Sequence, residues 1–294
     1  MRARWRSTAF VGLVVCAMVL PRGGIVSRAA QQASNQLSSP ADDAARVRRL
    51  TKSGTKVESE RVTAWLSKDA MSASEMQDVL RRVETAVTTI ETFVHVPRPW
   101  QKTRNRRVEY FFEEGPFFVP HATINRQVLM PVVRLRDGQA PILHETTHAL
   151  LTPPQGHRPF AWLTEGVATY VAKAISQEKQ IPEGDRFELG EIDQIDGKCA
   201  AGLSSAEGAR VLPFIGAPGN LQTLYAMEPA IRMRQVFYGC SASFTKYLVD
   251  RLGLERVVDL LPDADPHATI ERLASANMAS VRTEWMAKIG ARVP

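Results

Sequence analysis

The sequence predicts an α+β fold, with a small mixed or antiparallel sheet in the first half and a mostly helical second half. Three observations carry this expectation. Met76, Leu80, Val83, Val87, Ile90 and Val94 recur at helical spacing. Two runs, 108–112 and 122–133, then read as strands. Further on, helical patterns return near 232–252, 254–261, 266–275 and 277–290.

The chain opens on a segment that reads as an export signal, 1–30. Arg2, Arg4 and Arg6 form a basic start, 7–20 is a short apolar run, and Pro21-Arg22-Gly23-Gly24 breaks it. Ala29 and Ala30 are small residues suited to cleavage. The expectation is an exported protein, periplasmic or secreted. The alternative is an uncleaved membrane anchor, against which stands an apolar run short of the ~20 residues a spanning helix needs. Of the formal charge of +6, Arg2, Arg4, Arg6, Arg22 and Arg28 leave with this segment, so about +1 stays on the rest. No stripe of Lys and Arg with interleaved aromatics remains, so no nucleic-acid partner is expected. A membrane partner is expected only if the anchor is kept.

Residues 31–52, rich in Gln, Ser, Ala and Asn, are expected to be flexible. The stretch 53–294 then forms one unit, an α+β lobe to about 152 and a helical lobe after it. Weak alternation over 57–66 suggests a strand. Ser72-Ala73-Ser74-Glu75 is a capping box that opens the long helix. Gly115-Pro116 marks a turn. Pro131, near the end of the 122–133 run, suits an edge strand and not a central one. His121, just before it, reads as structural. Pro141 suits the start of a short helix that Pro153 and Pro154 stop. A second helix runs from 161 to about 177. The glycine-rich stretch 181–220 reads as irregular, a lid over a cleft or a surface excursion tied down by Cys199. Cys199 and Cys240 are an even pair once the signal is removed, which in an exported protein suggests one disulfide; two independent thiols are the other reading. Asp265-Pro266 starts a later helix, with Asp as cap and Pro at the first position.

The short helix carries His144-Glu145-Thr146-Thr147-His148 within an apolar stretch. Residues four apart share one helix face, so both imidazoles can reach one ion. Glu145 stays off the metal and close to its water, the arrangement a zinc hydrolase needs. The bland alternative is a buried helix with two satisfied histidines. A catalytic zinc needs a third protein ligand. The metzincin pattern fails, because Leu151 and Pro154 stand where it needs Gly and His. His157 lies in a Pro-rich loop. Glu165 lies in the second helix, and a helix, a tight loop and a helix folding back would turn it toward the two histidines.

H-E-x-x-H followed by Trp162-Leu163-Thr164-Glu165-Gly166-Val167-Ala168-Thr169-Tyr170 resembles the gluzincins, zinc metallopeptidases whose third ligand is a Glu. The nearest likeness is to peptidase-MA-like domains of the aminopeptidase N and thermolysin group. Phe237-Tyr238-Gly239-Cys240-Ser241-Ala242-Ser243-Phe244, then Lys246-Tyr247-Leu248, looks like the Y-x-x-S-x-S-F…Y-L helix downstream in such domains, and Glu284-Trp285-Met286 like their closing helix. The resemblance covers roughly residues 72–290 and is specific at three short blocks. It implies a zincin-like fold, with the edge strand beside the active-site helix and a peptide substrate able to pair along it, an ordinary edge strand being the other reading. It implies one Zn²⁺ held by His144, His148 and Glu165. It implies Tyr238 as hydrogen-bond donor to the oxyanion, with a core aromatic as the other reading and Tyr170 and Tyr247 as competitors.

Two departures stand out. No G-x-M-E-N-type stretch precedes the motif, which weighs against an aminopeptidase. Thr169 occupies the position where thermolysin-like relatives place an Asp beyond the Glu ligand. The resulting expectation is an exported zinc metallopeptidase that cleaves a peptide or protein with a metal-activated water and Glu145 as general base. The rival expectations are a zinc hydrolase of a non-protein amide or ester and a non-catalytic zinc-binding envelope module. Glu145 argues against the last, because binding zinc does not require it.

Overall fold

The computed structural model describes residues 38–95, 107–115, 118–123, 125–153, 160–185, 187–227 and 230–291. The expected export signal and His157 lie outside the described residues. Among those described, no helix is long and apolar enough to cross a membrane.

Helix α1 (Pro40–Ser53) starts inside the segment expected to be flexible. Its capping box explains the difference: Asp42 N–H donates to the Ser39 hydroxyl, and the Asp42 carboxylate reaches back to the Ser39 backbone. The single strand expected over 57–66 is two, β1 (Thr55–Glu58) and β2 (Val62–Leu66), paired as an antiparallel hairpin. The turn between them is held from outside, since the Ser59 hydroxyl and the Arg61 N–H both donate to Glu84. Glu84 lies on helix α2 (Ala73–Phe93), which opens at the expected Ser72–Glu75 box.

Strand β3 (Val108–Glu113) runs parallel to β2 and to β5 (Gln127–Pro131). The single strand expected over 122–133 is also divided. A tight turn, with Arg126 in the left-handed region and Thr123 N–H donating to the Gln127 carbonyl at 2.7 Å, separates the two-residue β4 (His121–Ala122) from β5. Beyond Pro131 the chain coils into α3 (Val132–Arg136). The sheet order is β1-β2-β3-β5-β4, so it is mixed, and β4 rather than β5 forms the edge. Pairing with β4 reaches only Leu129, so Pro131 sits past the paired stretch on that side.

The sheet is covered on both faces, as its parallel centre requires. Tyr110, Phe112, Val128 and Met130 join the main core with α2 and helix α4 (Ile142–Leu151). Phe111 and Leu129, one residue out of phase, pack with Phe118 and Leu50 of α1. Helix α5 (Ala161–Lys179) lies against α4, and the 23-residue α9 (Ala230–Leu252) lies along α5. The stretch expected to be irregular contains α6 (Ile195–Leu203) and α7 (Ala206–Val211), followed by the short α8 (Leu221–Tyr225). Ile195, Cys199 and Leu203 supply a buried stripe at four-residue spacing among the glycines. A disulfide between Cys199 and Cys240 ties α6 to α9. Helices α10 (Leu254–Asp259), α11 (Pro266–Ala274) and α12 (Met278–Lys288) close the chain, with Trp285 fully buried against Phe244.

One ion pair fastens α1 to the β4 edge: His121 Nε2 lies 2.9 Å from Asp43 Oδ2, and its Nδ1 lies 2.9 Å from the Val119 carbonyl. Burial pulls the His121 pKa down, but the hydrogen bond and charge of Asp43 outweigh it and raise the pKa above 6.5. Burial likewise works against Asp43, which His121 holds below 3.8. The His121 contribution is therefore full below pH 6.5 and is lost as pH rises through its folded value; that of Asp43 is lost as pH falls through its own. Urea unfolding should show the stability lead of the wild type over His121→Gln shrinking from about pH 6 to about pH 9. A lead independent of pH over that range would remove the charged pair from the account.

Candidate metal centre

Helix α4 presents His144 and His148 on the face turned toward α5. Pro141, at its cap position, offers no side-chain acceptor for the first N–H groups. Glu183 supplies one from some forty residues on: the Leu143 and His144 N–H groups donate to its two oxygens at 2.8 and 3.0 Å. Burial of this carboxyl pushes its pKa up to about 8, against the lowering effect of those two hydrogen bonds. The opposite side of α4 is bolted to the sheet by a hydrogen bond between the Thr146 and Tyr110 hydroxyls.

Glu165 sits one turn into α5, where the fully buried Trp162 packs on Phe244 of α9. His144 Nε2 and His148 Nε2 are 3.1 Å apart, and each lies 3.3 Å from Glu165 Oε2. The three atoms form a nearly equilateral triangle. Bonds of about 2.0–2.1 Å to one tetrahedral ion put neighbouring ligand atoms about 3.3 Å apart, so the donor set fits zinc in both chemistry and spacing. Among the described residues this is the one cluster of His, Cys, Asp and Glu that could hold a metal. Electrostatics agree. Burial would raise the Glu165 pKa, yet the two imidazoles hold it far below the carboxylate range. Burial depresses His144, and Glu165 and Glu145 reverse that and raise it. The buried carboxylate calls for positive charge, which protonated imidazoles or a cation can supply.

The partner of His144 is the residue where the resemblance departs: Thr169 Oγ1 is 3.4 Å from His144 Nδ1. A hydroxyl, as the sequence indicates, stands beside the ring at the position where thermolysin-like relatives place a carboxylate. Gly166 allows α9 to come close. A Cβ there would lie 2.4 Å from Thr245 Oγ1 and 2.6 Å from the Ser241 carbonyl oxygen.

A cleft opens beside the triangle, lined by His144, Glu145, Thr169, Glu183, Phe187 and Tyr238 among others. Tyr238, on α9, is buried, with its ring centroid 6.0 Å from that of His144. Phe187 stacks on it at 4.8 Å, and the Tyr238 hydroxyl lies 3.1 Å from that of Tyr225, which also lines the cleft. Burial pushes the Tyr238 phenol well above 10 and Tyr225 up to about 12, so both remain O–H donors at neutral pH. Tyr170 and Tyr247 do not line the cleft, and Tyr247 donates to Glu284 at 2.8 Å instead. His121 stands apart from the triangle, engaged with Asp43.

Thus the structure brings His144, Glu145, His148, Glu165 and Tyr238 to one place. Glu183, Phe187 and Tyr225 join them unannounced by the sequence. Glu183 and Phe187 belong to 182–190, a loop shaped by Asp185, which accepts from the Leu189 and Gly190 N–H groups and pairs with Lys173 at 2.7 Å. Nothing in its Pro- and Gly-marked sequence separates such residues from an ordinary surface loop. What fold and site define is a mixed α+β chain with a largely buried three-donor cluster at the wall of a cleft. No protein-family model matches the chain, and no curated protein matches it.

Proposed function

We propose that this chain is a zinc-dependent hydrolase of peptide bonds with a zincin-like catalytic core, acting outside the cytoplasm. The observation that carries the reading is the 3.1–3.3 Å triangle of His144, His148 and Glu165 beside a cleft that also holds Glu145. Zinc, when bound, lowers the pKa of a water toward ~7 and polarises the substrate carbonyl. Glu145, next to His144 and outside the triangle, accepts the proton of the attacking water and delivers it to the departing amine nitrogen. Tyr238 donates a hydrogen bond to the carbonyl oxygen as negative charge builds there. Thr169 and Glu183 hold His144 at its ring and at its backbone, so the ligand is set before substrate arrives. Leu189, Val119 and Phe187 give the cleft wall apolar stretches beside these polar groups.

The test is metal removal and return. The purified chain should carry about one zinc and cut members of an internally quenched peptide library. A chelator should abolish cleavage, and stoichiometric zinc should restore it. A zinc-loaded chain that cuts amide or ester compounds of the cell envelope, but no peptide, would move the substrate class and keep the chemistry. A zinc-loaded chain that hydrolyses nothing would make this a binding module.

A further inference from the structure

Tyr238 sits in a frame that does more than bury it. Phe187 stacks on its ring at 4.8 Å and Phe237 meets it edge-on at 5.8 Å, so the ring plane is set. A phenol hydroxyl can still turn its proton toward either side. Only one of these orientations serves an oxyanion in the cleft. The Tyr225 hydroxyl lies 3.1 Å away, within hydrogen-bond reach of the Tyr238 oxygen. The Tyr225 ring is in turn covered by the guanidinium of the fully buried Arg234, whose central carbon lies 3.8 Å from the ring centroid. A cation on the face of a phenol draws electron density from it and makes the hydroxyl a better donor.

The geometry points to Tyr225 as a positioning residue: its hydroxyl, backed by Arg234, donates to the Tyr238 oxygen and thereby aims the Tyr238 proton at the carbonyl oxygen of the scissile bond. This rests on the hydrolase reading above. The order of donors is Tyr225 O–H to Tyr238 O–H to substrate oxygen, and each hydrogen bond in such a chain strengthens the next. No proton leaves either tyrosine. The benefit falls in the transition state, where the substrate oxygen carries charge, and little of it falls on substrate binding.

Tyr225→Phe keeps the ring and the Arg234 stack and removes only the hydroxyl. Steady-state kinetics on the best peptide of the quenched library should show kcat reduced about tenfold with KM unchanged, the loss of roughly one hydrogen bond in the transition state. Tyr238→Phe should cost about 100-fold in kcat. The decisive comparison is the double variant, where Tyr225→Phe should add less than about twofold to the loss from Tyr238→Phe, because the hydroxyl it served is gone. Zinc content should match the wild type in all three variants, and each should still unfold in a single cooperative transition. Losses that multiply in the double variant would give Tyr225 a role of its own and overturn the relay. A single Tyr225→Phe variant within twofold of wild type would overturn it too, with the hydrolase reading intact. A zinc-loaded wild type that cuts no peptide would overturn both.

Discussion

Glu145→Gln is expected to lower kcat by about 10²–10⁴-fold, the range of a general base, and to leave about one zinc per chain in place. The substitution keeps the size and shape of the side chain. It replaces a carboxylate that can accept a proton with an amide that cannot. Zinc should be retained because the three convergent donors are His144, His148 and Glu165, and Glu145 is not among them. Glu165→Ala supplies the opposite pattern. It removes one edge of the triangle and leaves two imidazoles in a pocket built around a carboxylate, so zinc affinity and activity should fall together. Metal analysis beside steady-state rates separates the two cases. Full activity in Glu145→Gln would exclude it as the base. Undiminished zinc affinity in Glu165→Ala would move the third ligand elsewhere, with His157 first in line.

What the sequence made legible follows a physical divide. Features set by neighbours along the chain could be read: the Ser72–Glu75 box, the shared face of His144 and His148, and the stop after Leu151. The pairing of Cys199 with Cys240, 41 residues apart, was legible for another reason, because the cysteine count left one pair. Glu165 was legible as one of several candidates, through a helix–loop–helix that would fold back and through the resemblance to the gluzincins. Features that depend on a distant partner could not. Pro141 leaves α4 without a cap of its own, and its acceptor, Glu183, arrives from a separate loop. The break between β1 and β2 is held by Glu84 from across the core. The edge position passed from β5 to β4 because two residues on the far side of a tight turn suffice to pair with it. Helix α6 was masked by its glycines, yet Ile195, Cys199 and Leu203 carry its buried stripe. Tyr225 became relevant only once α8 and α9 were seen to bring two hydroxyls within 3.1 Å.

Gly166→Ala should harm the site far more than one methyl group suggests. On an exposed helix this change stabilises by roughly 0.4–1 kcal/mol, because Ala restricts the unfolded chain and favours helix. Here the new Cβ meets Thr245 Oγ1 at 2.4 Å and the Ser241 carbonyl oxygen at 2.6 Å, so α5 and α9 must separate. Overpacking of this kind costs about 1–3 kcal/mol. The displacement falls between Glu165, the adjacent residue on α5, and Tyr238 on α9. Misplacing groups by about 1 Å can cost about 100-fold in rate, so kcat should fall out of proportion to stability. Gly197→Ala is the control: it lies on α6 with nothing within 4 Å of its Cβ, and should be neutral or slightly stabilising. Thr245→Ala added to Gly166→Ala removes the hydroxyl contact and leaves the backbone one, so it should restore part of the loss and not all of it. Thermal unfolding and kcat of these variants, measured together, test the argument. Wild-type behaviour of Gly166→Ala would show that the approach of α5 to α9 does not set the distance between the metal ligands and Tyr238.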